Sequence, residues 1–197
     1  MLSLIRKKDF GDMTVLSTKI EGVKVLIPKV FGDNRGAFLE IWNEKTYQDI
    51  GLPDEFVQDN ISTSIKGVLR GVHTQLKYPQ SKVVSCLSGC IYDVAVDCRI
   101  DSPTFGQWYG EILSAENRRM LYIPDGVAHG FYTMEDAIVL MKVTTHYMPG
   151  DEIGFMWNDI TVGIEWPLFE GLEPVLAEKD QRWSCFDEMM KIISQYR

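Results

Sequence analysis

The sequence of 197 residues has no apolar stretch long enough to span a bilayer, and no secretory signal follows the basic residues near its amino terminus. Positive charge is also in short supply, because 20 Lys and Arg stand against 28 Asp and Glu and leave a net charge of −8. Such an acidic chain is poorly suited to general binding of nucleic acids or of anionic membranes. We therefore expect a cytoplasmic protein that binds neither.

Cysteine and histidine are scarce as well. The four cysteines form no C-x-x-C pair, and a chain of this length buries enough core to be stable without disulfides, so we expect free thiols. Only three histidines are present, His73, His129 and His146. Any chemistry that needs an imidazole must therefore use one of these three side chains.

Short strand patterns separated by turns fill most of the chain. No helical apolar stripe is found between residues 60 and 148, and strand-like segments recur there at a spacing of roughly ten residues, which is typical of a β-sandwich or barrel. Residues 128–133 and 137–145 are predicted to pair as a hairpin around an acidic turn. Because no linker or composition shift divides the chain, we predict a single domain over residues 1–197.

The two ends of the chain and one internal segment depart from the strand pattern. Residues 1–12 show no clear period and are predicted to be an appendage. Residues 43–50 are predicted to form a short helix that Gly51 and Pro53 close. Near the carboxyl terminus, apolar residues at helical spacing predict a terminal helix: Phe186, Met189, Met190 and Ile193.

Residues 67–75, Gly-Val-Leu-Arg-Gly-Val-His-Thr-Gln, place an arginine and a histidine on one predicted strand. Arg70 and His73 are three residues apart, so they would face opposite sides of an unbroken strand; Gly71 between them permits a bulge that could re-aim one. An arginine suits a phosphate or a carboxylate, and a histidine can move a proton near neutral pH. The alternative is an exposed arginine and a structural histidine.

Residues 124–129 have the P-x-G-x-x-H spacing of the second cupin motif. In metal cupins this histidine is a ligand, together with an H-x-H and a glutamate that come earlier in the chain. Here His73-Thr-Gln75 replaces the H-x-H, and Lys82 lies where the carboxylate is expected. One imidazole beside an ammonium group suits no divalent metal. The resemblance therefore implies an all-β cupin jelly roll with a few short helices and no metal.

Several linked motifs carry a more specific resemblance, to the dTDP-4-dehydrorhamnose 3,5-epimerase family. They cover about residues 14–181 and follow the order in which the family has them: 30–36, 56–60, 67–75, 101–108, 113–117, 129–131, 157–159 and 178–180. This family acts on 4-keto-6-deoxy sugars that are linked to a nucleoside diphosphate. The resemblance implies such a nucleotide sugar as substrate and no cofactor.

The chemistry of such a substrate explains which residue types are needed. A 4-keto group acidifies the protons on C3 and C5, so a base can remove one, and reprotonation of the enolate on the other face inverts the carbon. The resemblance implies that His73 is the base and that Asp180 orients it. It also implies that Lys82 is the cation that stabilises the enolate oxygen.

Other residues match positions at which family members contact the substrate. These are Gln58, Asn60, Arg70, His129, Glu152 and Lys179, with Arg70 on a phosphate. Arg35, Phe38 and Glu40 match residues that family members lend to the neighbouring subunit's site, which implies a homodimer with shared active sites. As alternatives, Lys179 and Asp180 could be a solvated pair, Lys82 an edge charge, Phe38 a core residue and His129 a structural histidine.

One position departs from the family pattern. The family's general-acid tyrosine precedes a lysine in a Tyr-Lys-x-Thr segment, and this chain has Met141-Lys142-Val-Thr there. Because a thioether cannot donate a proton, either water or another acid must replace the tyrosine. The candidates are Tyr132, on the first strand of the predicted hairpin, and Tyr147, which matches an aromatic position in relatives.

These observations predict epimerisation of a nucleoside-diphosphate-linked 4-keto sugar through an enolate, at C3 only. Three alternatives stay open. The first is a double epimerase of C3 and C5 with a relocated acid. The others are a 3,4-ketoisomerase of the same fold and a nucleotide-sugar binder without turnover.

Overall fold

The computed structural model describes residues 6–53 and 55–196 and consists mainly of β-strands. The strands are β1 (Lys7–Phe10), β2 (Met13–Ser17), β3 (Lys24–Pro28), β4 (Phe31–Asp33), β5 (Gly36–Phe38), β6 (Gln58–Ser64), β7 (Val68–Gln75), β8 (Lys82–Ser88), β9 (Cys90–Asp97), β10 (Trp108–Ser114), β11 (Met120–Ile123), β12 (Val127–Thr133), β13 (Ala137–Val143), β14 (Glu152–Gly154) and β15 (Val175–Leu176). The helices are α1 (Glu44–Ile50) and α2 (Phe186–Gln195), with a 3₁₀ turn at Asp180–Arg182.

Two sheets face each other and enclose the core. The seven-stranded sheet has the order β1-β2-β3-β11-β8-β13-β6, and the six-stranded sheet has the order β10-β9-β12-β7-β14 with β15 added in parallel to β7. The other strand pairs of both sheets are antiparallel. From β6 to β9, and again from β10 to β14, successive strands alternate between the two sheets, and this is the all-β cupin jelly roll that the sequence predicted.

The side chains that face inward from both sheets form the central core, which includes Val25, Val84, Leu121 and Phe131. Each outer sheet face is partly covered by one helix. Helix α2 packs Phe186, Met189 and Met190 on the six-stranded sheet, because these positions lie on one side of a 3.6-residue period. The terminal helix was therefore predicted correctly.

Helix α1 covers part of the seven-stranded sheet and buries Tyr47 and Ile50. The Asn43 side chain caps its amino end by accepting a hydrogen bond from the Thr46 N–H at 3.2 Å, and Gly51 ends it at φ 74°. The helix predicted over residues 43–50 is thus confirmed.

The four cysteines are free thiols, as expected.

Two sequence predictions were wrong. Strands β12 and β13 do not form a hairpin, because β12 pairs with β7 and β9 while β13 pairs with β6 and β8 in the other sheet. Residues 7–10 of the predicted appendage form β1, which pairs with β2, and residues 1–5 lie outside the described residues.

None of the helices in the described ranges is long and apolar enough to cross a membrane.

Candidate active site

A cavity lies between the two sheets, and both of its adjoining lobes are lined by His73, His129, Met141, Glu152 and Lys179. Most of the residues that the sequence singled out meet here. The further members of the lining set are Gln58, Asn60, Arg70, Lys82, Tyr147 and Asp180. These residues come from eight separate segments of the chain and meet in one cavity. Their convergence favours a functional role over the alternative that they are unrelated surface residues.

A bulge in β7 brings Arg70 and His73 to the same side. His73 lies opposite His129 of β12 and Arg70 lies opposite Phe131, so three steps on β7 match two on its partner. Gly71 has φ +90°, and a Cβ atom there would lie 2.4 Å from the carbonyl oxygen of His129. Only glycine fits this close approach of two backbones. The bulge predicted from the sequence is confirmed.

His73 has a carboxylate near each ring nitrogen. Its Nδ1 lies 3.9 Å from Asp180 Oδ1, and its Nε2 lies 3.5 Å from Glu152 Oε1. Burial, followed by the nearby charges of Lys82 and Lys179 and by His129, lowers the pKa of His73 well below its ordinary value. The imidazole is therefore neutral near pH 7 and can accept a proton from a bound molecule.

Asp180 is held rigidly beside this histidine. The carboxylate is buried at the start of the 3₁₀ turn, where Oδ1 accepts a hydrogen bond from Trp183 Nε1 at 3.1 Å. Its Oδ2 accepts one from the Gly71 N–H at 3.4 Å, so the carboxylate also contacts the bulge. The distance of 3.9 Å to His73 Nδ1 is longer than a hydrogen bond.

Lys82 reaches the cavity from β8 in the opposite sheet. It pairs with Val143, and its side chain is only 7 % exposed. Burial lowers the pKa of Lys82 to about 8, against the opposing effect of the Asp93 and Glu152 carboxylates. Lys82 is therefore a cation at neutral pH that can still lose its proton. Because it is buried, it is not an exposed charge at a strand edge.

His129 is fixed by a buried partner that the sequence reasoning missed. Its Nε2 lies 2.6 Å from Oδ1 of Asp93, and both side chains are buried. Asp93 lies between Ile91 and Ala95 on the inward face of β9. A charged residue at an inward position of an otherwise apolar strand needs a buried partner, and this pattern could have identified Asp93 from the sequence. Within the described ranges, no group of three His, Cys, Asp or Glu side chains could hold a metal ion.

Glu152 and Lys179 form a charged pair at the edge of the cavity. Lys179 Nζ lies 2.6 Å from Glu152 Oε2, and although burial opposes it, this contact raises the pKa of Lys179. The lysine is therefore a permanent cation near His73. Arg70 lies nearby and donates to the Ser64 hydroxyl at 3.0 Å and to the Thr63 carbonyl. The two cations suit an anionic part of a ligand.

Some predicted residues lie elsewhere. Arg35, Phe38 and Glu40 do not line the cavity of their own chain; they belong to the exposed β4–β5 hairpin and the segment after it. Phe38 is 71 % exposed, so the alternative that it is a core residue was wrong. Arg35 contacts Asp33 through its guanidinium.

Tyr132 was wrongly proposed as a replacement acid. Side chains alternate along β12, and since His129 and Phe131 face the cavity, Tyr132 points to the outer face of the sheet. It is buried there against Phe169, whose N–H lies 3.4 Å from the tyrosine hydroxyl. Tyr147, the other candidate, does line one lobe of the cavity.

A jelly roll that holds a histidine–aspartate pair, a buried lysine and two further cations around one cavity defines a cupin-type sugar epimerase. The family model described as dTDP-4-dehydrorhamnose 3,5-epimerase matches residues 17–188. The chain belongs to this family and is an isomerase.

Individual relatives agree with this assignment. The chain is 50 % identical over 181 residues to the dTDP-4-dehydrorhamnose 3,5-epimerase of Salmonella typhimurium strain LT2, which covers 90 % of this chain and 98 % of the relative. The structure of a dTDP-6-deoxy-D-glucose-3,5-epimerase from Legionella pneumophila, in complex with dTDP-4-keto-L-rhamnose, is 44 % identical with a TM-score of 0.88 over 92 % of this chain and 96 % of that one. A 3'-monoepimerase from Streptomyces bikiniensis, ChmJ in complex with dTDP-quinovose, is 30 % identical with a TM-score of 0.82 over 89 % of each chain.

Proposed function

We propose that this protein epimerises a nucleoside-diphosphate-linked 4-keto sugar at C3 alone, through an enolate. The observation that carries the proposal is Met141, a side chain without a transferable proton that lines the cavity together with His73. An enzyme that inverts two carbons needs a positioned acid for each, and loss of one typically costs about a hundredfold in rate or more. ChmJ, a related 3'-monoepimerase, is a precedent for inversion at one carbon in this fold.

In this mechanism the neutral His73 removes the C3 proton of the bound sugar. The electron pair of the C–H bond moves toward C4, and negative charge develops on the carbonyl oxygen. Lys82 stabilises this charge because it is a buried cation, and a charge held in place by burial acts more strongly than one in water. Asp180 holds the imidazole in position and stabilises the imidazolium that forms.

The anionic part of the substrate is bound by cations on the same side as the base. Arg70 and Lys179 line the lobe that also contains Asp180, and they contact the diphosphate. Gln58, Asn60 and Tyr147 line the adjoining lobe and contact the rest of the nucleotide sugar. In this arrangement Glu152 fixes Lys179, and His129 completes the sugar site.

The functional unit in this proposal is a homodimer with shared active sites. The β4–β5 hairpin is exposed along both strands and lies outside its own chain's cavity. Arg35, Phe38 and Glu40 therefore act on the substrate of a second copy of the chain, where the guanidinium adds a further cation and the phenyl ring an apolar surface.

Deuterium exchange tests the proposal directly. The wild-type protein is incubated in deuterated water with dTDP-, CDP- and GDP-linked 4-keto-6-deoxy sugars, and the products are followed by NMR. We expect deuterium at C3 with inverted configuration, and much slower exchange at C5. Equal exchange at both carbons would favour a double epimerase, and a displaced carbonyl a ketoisomerase. Absence of exchange with all three substrates would favour a binding protein.

Two variants at Met141 test whether exchange at C5 is limited by the lack of a hydroxyl group at this position or by the shape of the side chain. We expect Met141→Tyr to raise exchange at C5, because it adds a phenol to the cavity wall, whereas Met141→Phe should not. The phenylalanine is the matched control, since it adds a ring of the same width without a proton donor. If both variants behave alike, the thioether is not what restricts the reaction to C3.

A further inference from the structure

The cavity has two walls that carry different kinds of chemistry. Strands β7, β12 and β14 of the six-stranded sheet supply the base side, which includes His73, His129 and Glu152. Strands β6, β8 and β13 of the seven-stranded sheet supply the facing wall. A carbon is inverted only if it loses its proton on one face and receives another on the opposite face. With the base on one sheet, the donor therefore belongs on the other.

The facing wall offers few proton donors. The side chains that line the cavity from β6, β8 and β13 are Gln58, Asn60, Ser62, Lys82, Met141 and Val143. Amides, a hydroxyl, a thioether and an isopropyl group are not acids at neutral pH. Lys142 of β13 points to the outer face, where it pairs with Asp59 at 2.7 Å. Among the described residues that line this wall, Lys82 is the one whose side chain ionises in a useful range.

We propose that Lys82 is the proton donor that completes the inversion at C3 in this chain, besides stabilising the enolate oxygen. The inference rests on the proposed function. Lys82 pairs with Val143 and Met141 pairs with Val84, so the lysine and the methionine lie on the same inward face, one step apart on adjacent strands. Such diagonal neighbours are about 7–8 Å apart, a distance that the four-carbon side chain of lysine can span.

The charges around Lys82 are compatible with this role. Burial disfavours its protonated form, Asp93 and Glu152 favour it, and the pKa of Lys82 comes to about 8. A general acid is most effective when its pKa lies near the working pH. His129 does not compete, because its Nε2 already contacts Asp93 on the base side.

Atoms and electrons balance without a co-reactant. His73 takes the C3 proton, the C–H electron pair forms the C3–C4 double bond, and the carbonyl π pair moves to the C4 oxygen. In the second half, the carbonyl re-forms and C3 takes a proton from Lys82 Nζ, which keeps its lone pair as a neutral amine. Solvent then removes one proton from the imidazolium and returns one to the amine.

Tyr147 is the competing donor, because it lines the lobe that contains Lys82. The residue is 45 % exposed, and it follows the end of β13 instead of belonging to a strand of the wall. Its backbone N–H donates to Gln58 Oε1 at 3.0 Å, which fixes the chain there. This position suits contact with the nucleotide better than protonation of C3.

The test compares inversion with exchange in deuterated water, using Lys82→Arg and Tyr147→Phe. Arginine keeps a cation near the enolate oxygen but is a very weak acid. In Lys82→Arg we expect C3 to take up deuterium with its configuration retained, so that the ratio of inversion to exchange falls about a hundredfold or more. Tyr147→Phe should keep the wild-type ratio. An unchanged ratio in Lys82→Arg, or a fallen ratio in Tyr147→Phe, would overturn the proposal.

If Lys82→Arg loses exchange and inversion together, a chemical rescue decides. Lys82→Ala, with its fold checked by circular dichroism, is incubated with methylammonium or with tetramethylammonium. Both are cations, but only the first carries N–H protons. Restored inversion with methylammonium alone supports the donor role, and equal or absent restoration with both ions contradicts it. A wild-type protein without C3 exchange would instead disprove the proposed function itself.

Discussion

The bulge at Gly71 can be tested by an unusually well-matched pair of substitutions. Gly67 immediately precedes β7, Gly71 lies within it, and their φ values are +86° and +90°. A Cβ atom at Gly67 meets nothing within 4 Å, whereas one at Gly71 meets the His129 carbonyl oxygen at 2.4 Å and the Gly130 Cα at 2.8 Å. The two alanine variants therefore share the backbone strain and differ in the steric clash.

The expected magnitudes follow from these contacts. An alanine at positive φ costs about 1–2 kcal/mol, and Gly67→Ala should lose about that much of the free energy of unfolding. Gly71→Ala adds a clash with the backbone of a central strand, which resembles overpacking and costs a further 1–3 kcal/mol or so. Because β12 carries His129, the clash should also shift the site, and a displacement of about 1 Å can cost about a hundredfold in rate.

Urea denaturation and the C3 exchange assay would measure both effects. We expect Gly71→Ala to be less stable than Gly67→Ala and to exchange C3 far more slowly, while Gly67→Ala keeps most of its exchange rate. Similar stability and similar exchange in the two variants would mean that the close approach of β7 to β12 has no role in building the site.

Three further predictions concern the base, the assembly and the dependence on pH. His73→Ala should lose C3 exchange yet keep its affinity for a nucleoside diphosphate by calorimetry, because the imidazole acts on the sugar. Mixing inactive His73→Ala chains with inactive Arg35→Ala chains should restore part of the activity, since one site of each heterodimer is intact. Activity should fall as the pH rises through about 8, where Lys82 loses its proton, whereas the acidic limit should lie well below pH 6.5 because the pKa of His73 is lowered.

Each of these has a clear contrary result. Normal exchange in folded His73→Ala would remove His73 as the base. Lack of recovery in heterodimers whose formation is verified would mean that each site is built from one chain. An alkaline limit that does not move in Lys82→Arg would show that this limit does not come from Lys82, whose protonated form Asp93 and Glu152 favour.

Local rules predicted the parts of the fold that depend on neighbours in sequence. The bulge followed from a single glycine between an arginine and a histidine, and the α2 helix from its apolar period. The pairing of β12 and β13 could not be found this way. Their partners, β7 and β9 for one and β6 and β8 for the other, are remote in sequence, and a short acidic turn looks the same whether it closes a hairpin or crosses between sheets.

The site shows the same division. Asp180 and Glu152 were implied by the resemblance alone, because nothing near them in sequence says that they approach His73. The position of Tyr132, by contrast, was within reach of simple alternation: once His129 faces inward, a residue three places along an unbroken strand faces outward. The error came from the assumed hairpin, which placed Tyr132 on the same sheet as Met141.

The separation of the two walls explains how one fold can support different stereochemical outcomes. The proposed base His73, the Asp180 carboxylate and the Gly71 bulge belong to the six-stranded sheet and the segment that packs on it. The residue at position 141 belongs to the other sheet, so its replacement changes which groups face His73 across the cavity. In the proposed reaction, deprotonation and reprotonation therefore depend on different sheets and can be altered independently.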